Sequence, residues 1–114
     1  LNYSDDSKLA NIIVMKSENA NSIDISNLDK SGKMANQIYM ESGNANKIGF
    51  FQFDSAGYPE ANVNITNNEV QIGHGDSCYM HFNNDGYIYI KVGGEGAYKC
   101  GFVNIDGHKV LAAL

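Results

Sequence analysis

The sequence predicts an all-β fold of short strands joined by tight turns, and three observations predict it. Apolar residues recur at every second position in short runs: Ile13 and Met15, Ile23 and Ile25, Ile38 and Met40, Ile48 and Phe50. That is the period of a strand with one buried face. Fifteen asparagines and 12 glycines stand against a single proline, Pro59, and both abundant types tolerate the positive φ that tight turns need. The third observation is an internal duplication.

Residues 10–23 read ANIIVMKSENANSI and residues 35–48 read ANQIYMESGNANKI, identical at nine of fourteen positions without a gap. A further Ala61-Asn62-Val63-Asn64-Ile65 follows, one place later than an even third period would put it. A fixed period of about 25 residues marks a unit that buries its apolar face by stacking on copies of itself. Lys16–Asn19 and Glu41–Asn44 read as turns; 27–33 and 54–60 read as longer loops. Two strands per copy suit a β-solenoid coil or a meander of hairpins. Ile13, Ile23, Ile38 and Ile48 each close an Ala-Asn-x-Ile and are expected to form a continuous buried row. Gln37 and Lys47, at the variable third position, are expected to be exposed.

Residues 61–114 keep the strand pattern without the repeat, so one domain spans 1–114, with the duplicated unit in 10–60 and hairpins after it. Val63 and Ile65, then Asn67-Asn68, then Val70 and Ile72, read as a hairpin with a two-residue turn. Cys78–Phe82 and Tyr87–Val92 flank Asn83-Asn84-Asp85-Gly86, with glycine at the expected left-handed position. Gly93-Gly94-Glu95-Gly96 turns the chain into 97–105, and Asp106-Gly107 leads into His108–Leu111. About ten strands result.

The formal net charge of −5 excludes a nucleic-acid partner, whose phosphates demand a basic surface, and disfavours anionic membranes. All eight basic residues are lysines, which removes the bidentate guanidinium that carboxylate and phosphate sites favour. The longest apolar run near the start, Ile12–Met15, is too short for a signal segment or a membrane span. A first residue of Leu1 is expected of a processed product or an excised domain. Cys78 and Cys100 alternate with apolar neighbours and are expected to point into a core, either as free thiols or as a bridge.

The residues offer no catalytic set, and no enzyme activity or cofactor is expected. The serines at 17, 31 and 42 sit in turns without a Gly-x-Ser-x-Gly elbow. Asp5-Asp6 reads as a solvated terminus rather than a glycosidase pair. Gly93–Gly96 lacks the Lys-Ser/Thr of a phosphate loop. Residues 27–32 imitate the opening of a calcium loop, but Ile38 stands where the bidentate glutamate belongs, so a turn closed by Asx hydrogen bonds is expected. His74, His81 and His108 have no pairwise metal spacing; a metal would need one histidine from each of three copies about an axis.

Tyrosine is the one type whose placement suggests a surface. Tyr79 and His81 share a face opposite Cys78, Met80 and Phe82; Tyr87, Tyr89 and Lys91 share a face opposite Ile88, Ile90 and Val92. An outward Tyr/His/Lys face suits sugar or protein recognition; the plainer reading is an aromatic ladder that stabilises the sheet, or an inter-subunit core. Tyr79, His81, Tyr87, Tyr89 and Lys91 are the candidate ligand-binding residues.

With the repeat, the Asn/Gly-rich strands and the closing run FNNDGYIYIKVGGEGAYKCGFVNIDGHKVLAAL, the chain resembles phage tail-fibre and tailspike proteins, and in style the heads of trimeric bacterial adhesins. That resemblance implies a homotrimer on a virion or other extracellular surface, with strands packed between subunits. It further implies attachment to a host cell-surface glycan or protein. Two other readings fit the strand pattern: a monomeric carbohydrate-binding β-sandwich, and a non-catalytic fragment of a polysaccharide depolymerase.

Overall fold

The computed structural model describes every residue except Asp6, Ser7, Asn19, Ala20, Asn44 and Asp76, so Asp6 of the acid pair and the repeat positions 19, 20 and 44 lie outside the described residues. Strands run β1 Asn2–Tyr3, β2 Leu9–Lys16, β3 Asn21–Leu28, β4 Met34–Ser42, β5 Lys47–Phe53 and β6 Pro59–Thr66. They continue as β7 Glu69–His74, β8 Cys78–Asn83, β9 Ile88–Val92, β10 Tyr98–Ile105 and β11 His108–Ala113. Each pairs only with its sequence neighbours, giving one open sheet in chain order, antiparallel throughout. The all-β expectation holds, and the choice between coil and meander falls to the meander. The described residues form no second layer, so a sandwich within one chain is not what this sequence builds.

Turn chemistry explains the order. Antiparallel neighbours need only short connections, and Asn67-Asn68 joins β6 to β7 as expected. Asp106 and Gly107 take φ of 49° and 80°, the paired positive values of a type I′ hairpin turn. The calcium-like stretch is indeed an Asx-closed loop: Asp29 Oδ1 accepts from the Ser31 and Lys33 backbone N–H groups at 2.8 and 3.0 Å.

The duplication is more extensive in three dimensions than in sequence. The backbone N–H groups of Ser4, Asp29 and Asp54 donate to the carbonyls of Lys8, Lys33 and Tyr58 at 2.7, 2.7 and 2.9 Å. Register shifts fall at Asn2/Tyr3, Asn27/Leu28 and Gln52/Phe53, evenly spaced along the chain as the duplicated copies are. Thus β1–β2, β3–β4 and β5–β6 are three copies of one bulged hairpin. This corrects the third start: Ala61, opposite Gln52, occupies the place that Asn36 holds opposite Asn27. Asn62 comes one residue late and therefore lands on the other face, as a slip of one must in a period of two.

The register sorts the side chains into two rows on one face. One runs Ile13, Ile25, Ile38, Phe50, Val63, Ile72, Met80, Ile90. The other runs Met15, Ile23, Met40, Ile48, Ile65, Val70, Phe82, Ile88, Cys100. Neither row contains a charge. The four repeat isoleucines thus divide between two rows, and they are not buried: Ile13, Ile38 and Ile48 keep 62%, 39% and 37% of their surface. The expected buried row fails within the single chain because none of the described residues lies over the face. Cys100 is buried as expected, whereas Cys78 is exposed at the rim of this face, and both are free thiols. Gln37 is half-buried rather than exposed, because its amide donates to Asp24 Oδ2 at 2.6 Å on the other face. Lys47 is exposed, as expected.

Candidate functional site

The opposite face is polar and carries the predicted aromatic cluster. Strand alternation puts Tyr79 and His81 on it from β8, and Tyr89 and Lys91 from β9. The register sets His81 against Tyr89 and Tyr79 against Lys91, so the cross-strand grouping expected from alternation is present. The Tyr79 and His81 rings stack at 4.6 Å and 24°. Lys91 Nζ lies 5.8 Å from the Tyr79 ring centre, within cation–π range. Tyr87, just before β9, is covered by Lys99 Nζ at 3.8 Å from its ring centre.

Two side chains tie this cluster to its turn. The Tyr89 hydroxyl donates to Asp85 Oδ2 at 2.6 Å, and Asp85 Oδ1 accepts from the Tyr87 N–H at 3.0 Å. The Tyr89 hydroxyl first, then the Tyr87 N–H, hold the Asp85 carboxyl below its usual value, because both hydrogen bonds favour the ionised form. The same bond raises the Tyr89 phenol. Tyr39 repeats the arrangement on β4, donating to Glu41 Oε2 at 2.7 Å, which raises its phenol too.

Sequence reasoning missed the neighbours that complete the face. Asn62 and Asn64 on β6 and Gln71 and Gly73 on β7 share it, since Asn64 faces Gln71, which faces His81, and Asn62 faces Gly73, which faces Tyr79. Asn62 Oδ1, Asn64 Oδ1, Asn83 Oδ1 and His81 Nε2 are buried without a hydrogen-bond partner among the described residues. The signal that could have found them is the same period of two, read from Val63 and Ile65 to the asparagines between them.

The apolar face is concave over β2–β7. A groove of about 710 Å³ runs across the strands, floored by Ile13, Ile25, Ile38, Phe50, Val63 and Ile72. Its rim is an amide row, Asn2, Asn11, Asn27, Asn36 and Gln52, in consecutive register. Asn11 donates to Asn2 Oδ1 at 2.9 Å and Asn36 to Asn27 Oδ1 at 3.0 Å. Among the described residues no three His, Cys, Asp or Glu side chains are placed to share a metal ion, and no helix is long and apolar enough to cross a membrane. One face carries an apolar stripe, the other rings, amides, lysines and carboxylates. The chain matches no protein family, no characterised protein and no solved structure.

Proposed function

We propose that this chain is a non-catalytic structural and receptor-binding module of a homotrimeric fibre or spike of the phage type. Its apolar face turns inward against two copies, and its polar face turns outward toward a cell-surface glycan or protein. The observation that carries the reading is the single-layer sheet whose two uncharged apolar rows have no cover. Among the described residues Cys100 is the only hydrophobic side chain that is buried, and a sheet without a covered face lacks the core that independent stability needs. Contiguous exposed apolar surface of this extent marks an interface. The sheet measures 64 Å by 31 Å in its longer extents, more than the ~800 Å² per partner of an ordinary specific interface.

Three copies suit the stripe better than two. The rows lie two residues apart along each strand, roughly 7 Å. Amides rim the face at Asn11, Asn27 and Asn36 on one side and Asn21 and Asn46 on the other. Sheets closing around a threefold axis bury the middle of each face and leave its rims wet. A face-to-face pair would bury the rims as well, and with them the donors and acceptors that the Asn2–Asn11 and Asn27–Asn36 bonds leave over, which is costly. Light scattering at micromolar concentration is expected to give three times the 12.4 kDa of the chain. A mass of one chain would sink the assembly.

A further inference from the structure

We infer that the polar face across β6, β7 and β8 binds a neutral saccharide, held by Asn62, Asn64 and His81 beside the Tyr79 ring. The inference rests on the reading of this face as the receptor-facing side, and it gives that face a ligand class. Four buried polar atoms without a partner among the described residues lie on this polar face, from Asn62, Asn64, Asn83 and His81, with Asn64 Oδ1 turned toward Gly49 on β5. Buried polar groups in folded chains are nearly always paired, so orphans on one face call for a cause.

Three of the four are amide oxygens, which only accept. The fourth is Nε2 of His81, whose Nδ1 stands 3.5 Å from Glu69 Oε2. The missing partner is therefore a donor-rich molecule. Hydroxyl groups meet that need; a phosphate or carboxylate brings further acceptors and meets none of it. The amides are half-buried, and their last torsion is soft and roughly two-fold, so each oxygen turns outward to an incoming hydroxyl without moving the strand.

The second half of a sugar site is a rigid apolar surface for its C–H groups. The stacked Tyr79–His81 pair supplies it. Gly73 holds the pair in place: a Cβ there would lie 2.5 Å from Tyr79 Cβ and 2.8 Å from the Cys78 carbonyl. Tyr79 therefore packs on bare backbone, directly between the amides of β6 and the lysine of β9.

A printed array of neutral and acidic oligosaccharides tests the proposal, read together with thermal melting and mass on the same samples. Wild type is expected to retain neutral glycans. Asn62→Ala and Asn64→Ala are each expected to weaken that binding roughly tenfold or more while leaving the melting temperature unchanged or raised, because each removes an unpaired buried acceptor. Lys16→Ala, far from the site, is expected to bind as wild type does. No glycan retained by the folded wild type, retention of acidic glycans alone, or a melting loss in the asparagine variants as large as that of Ile72→Ala would each overturn it. A monomer that still binds neutral glycans would sink the trimer and leave this site standing; a trimer that binds none would do the reverse.

Discussion

Asp85 shows how one side chain can serve both a turn and a sheet. Its carboxylate gathers the Tyr87 N–H and the Tyr89 hydroxyl, and Asp29 does the same for the Ser31 hydroxyl and two backbone N–H groups. Both carboxyls sit below the ordinary 3.8 when folded. In acid the unfolded chain therefore binds more protons, so stability from these bonds is complete above the usual carboxylate range and drains away as pH falls through the lowered values. Tyr39 and Tyr89 act at the other end: their phenols are raised above 10.0, and that contribution is lost as pH rises through the raised values. Melting temperature followed against pH should thus show both limbs. Asp85→Asn is expected to make the acid limb shallower and to bring the Tyr89 part of the alkaline limb to lower pH; limbs unchanged from wild type would show that Asp85 is idle.

The element that repeats is the bulged hairpin, and its amide pair is its most specific part. Asn2–Asn11 and Asn27–Asn36 bracket the first two bulges with side-chain hydrogen bonds, while the third bulge has Gln52 opposite Ala61. Identity between the copies is visible in sequence, but the bulge is not: it recurs at an even spacing in all three hairpins, while the late Ala-Asn at 61–62 points one residue away from the third copy's true register. Restoring the pair with Gln52→Asn and Ala61→Asn together is expected to stabilise the chain by about 0.2–1 kcal/mol, the size of a good cross-strand pair. Denaturant melts of the double and single variants decide it. A double variant no better than the sum of its singles would mean that the amides do not pair there.

Across the full sheet, the proposed assembly predicts that stability depends on concentration. Ile38 keeps over a third of its surface in the single chain, and the proposed trimer would cover it. Ile38→Ala is therefore expected to cost ~2–5 kcal/mol in the assembled state, as core truncations do, and melting temperature is expected to climb with protein concentration. A concentration-independent melt with a near-neutral Ile38→Ala would mean that the face stays open to water.

Whatever follows from local chemistry is legible in this chain before it folds. Period two assigns Tyr79, His81, Tyr89 and Lys91 to one face and Ile88 and Ile90 to the other, because side-chain direction in a strand depends only on parity. Asp106-Gly107 announces its turn, because a positive φ is a property of one or two residues, and Asn67-Asn68 marks a two-residue connection. Whatever depends on distant partners emerges only once the strands pair. Burial departs from expectation at Ile13, Ile38, Ile48 and Cys78, since alternation says which side chains share a face and not whether anything covers it. Gln37 finds Asp24, and Asn62 and Asn64 come beside His81 and Tyr79, because register between strands is set by bulges and loop lengths summed over many residues. A coil and a meander share every local signal in this chain, and only the pairing of each strand with its neighbour separates them.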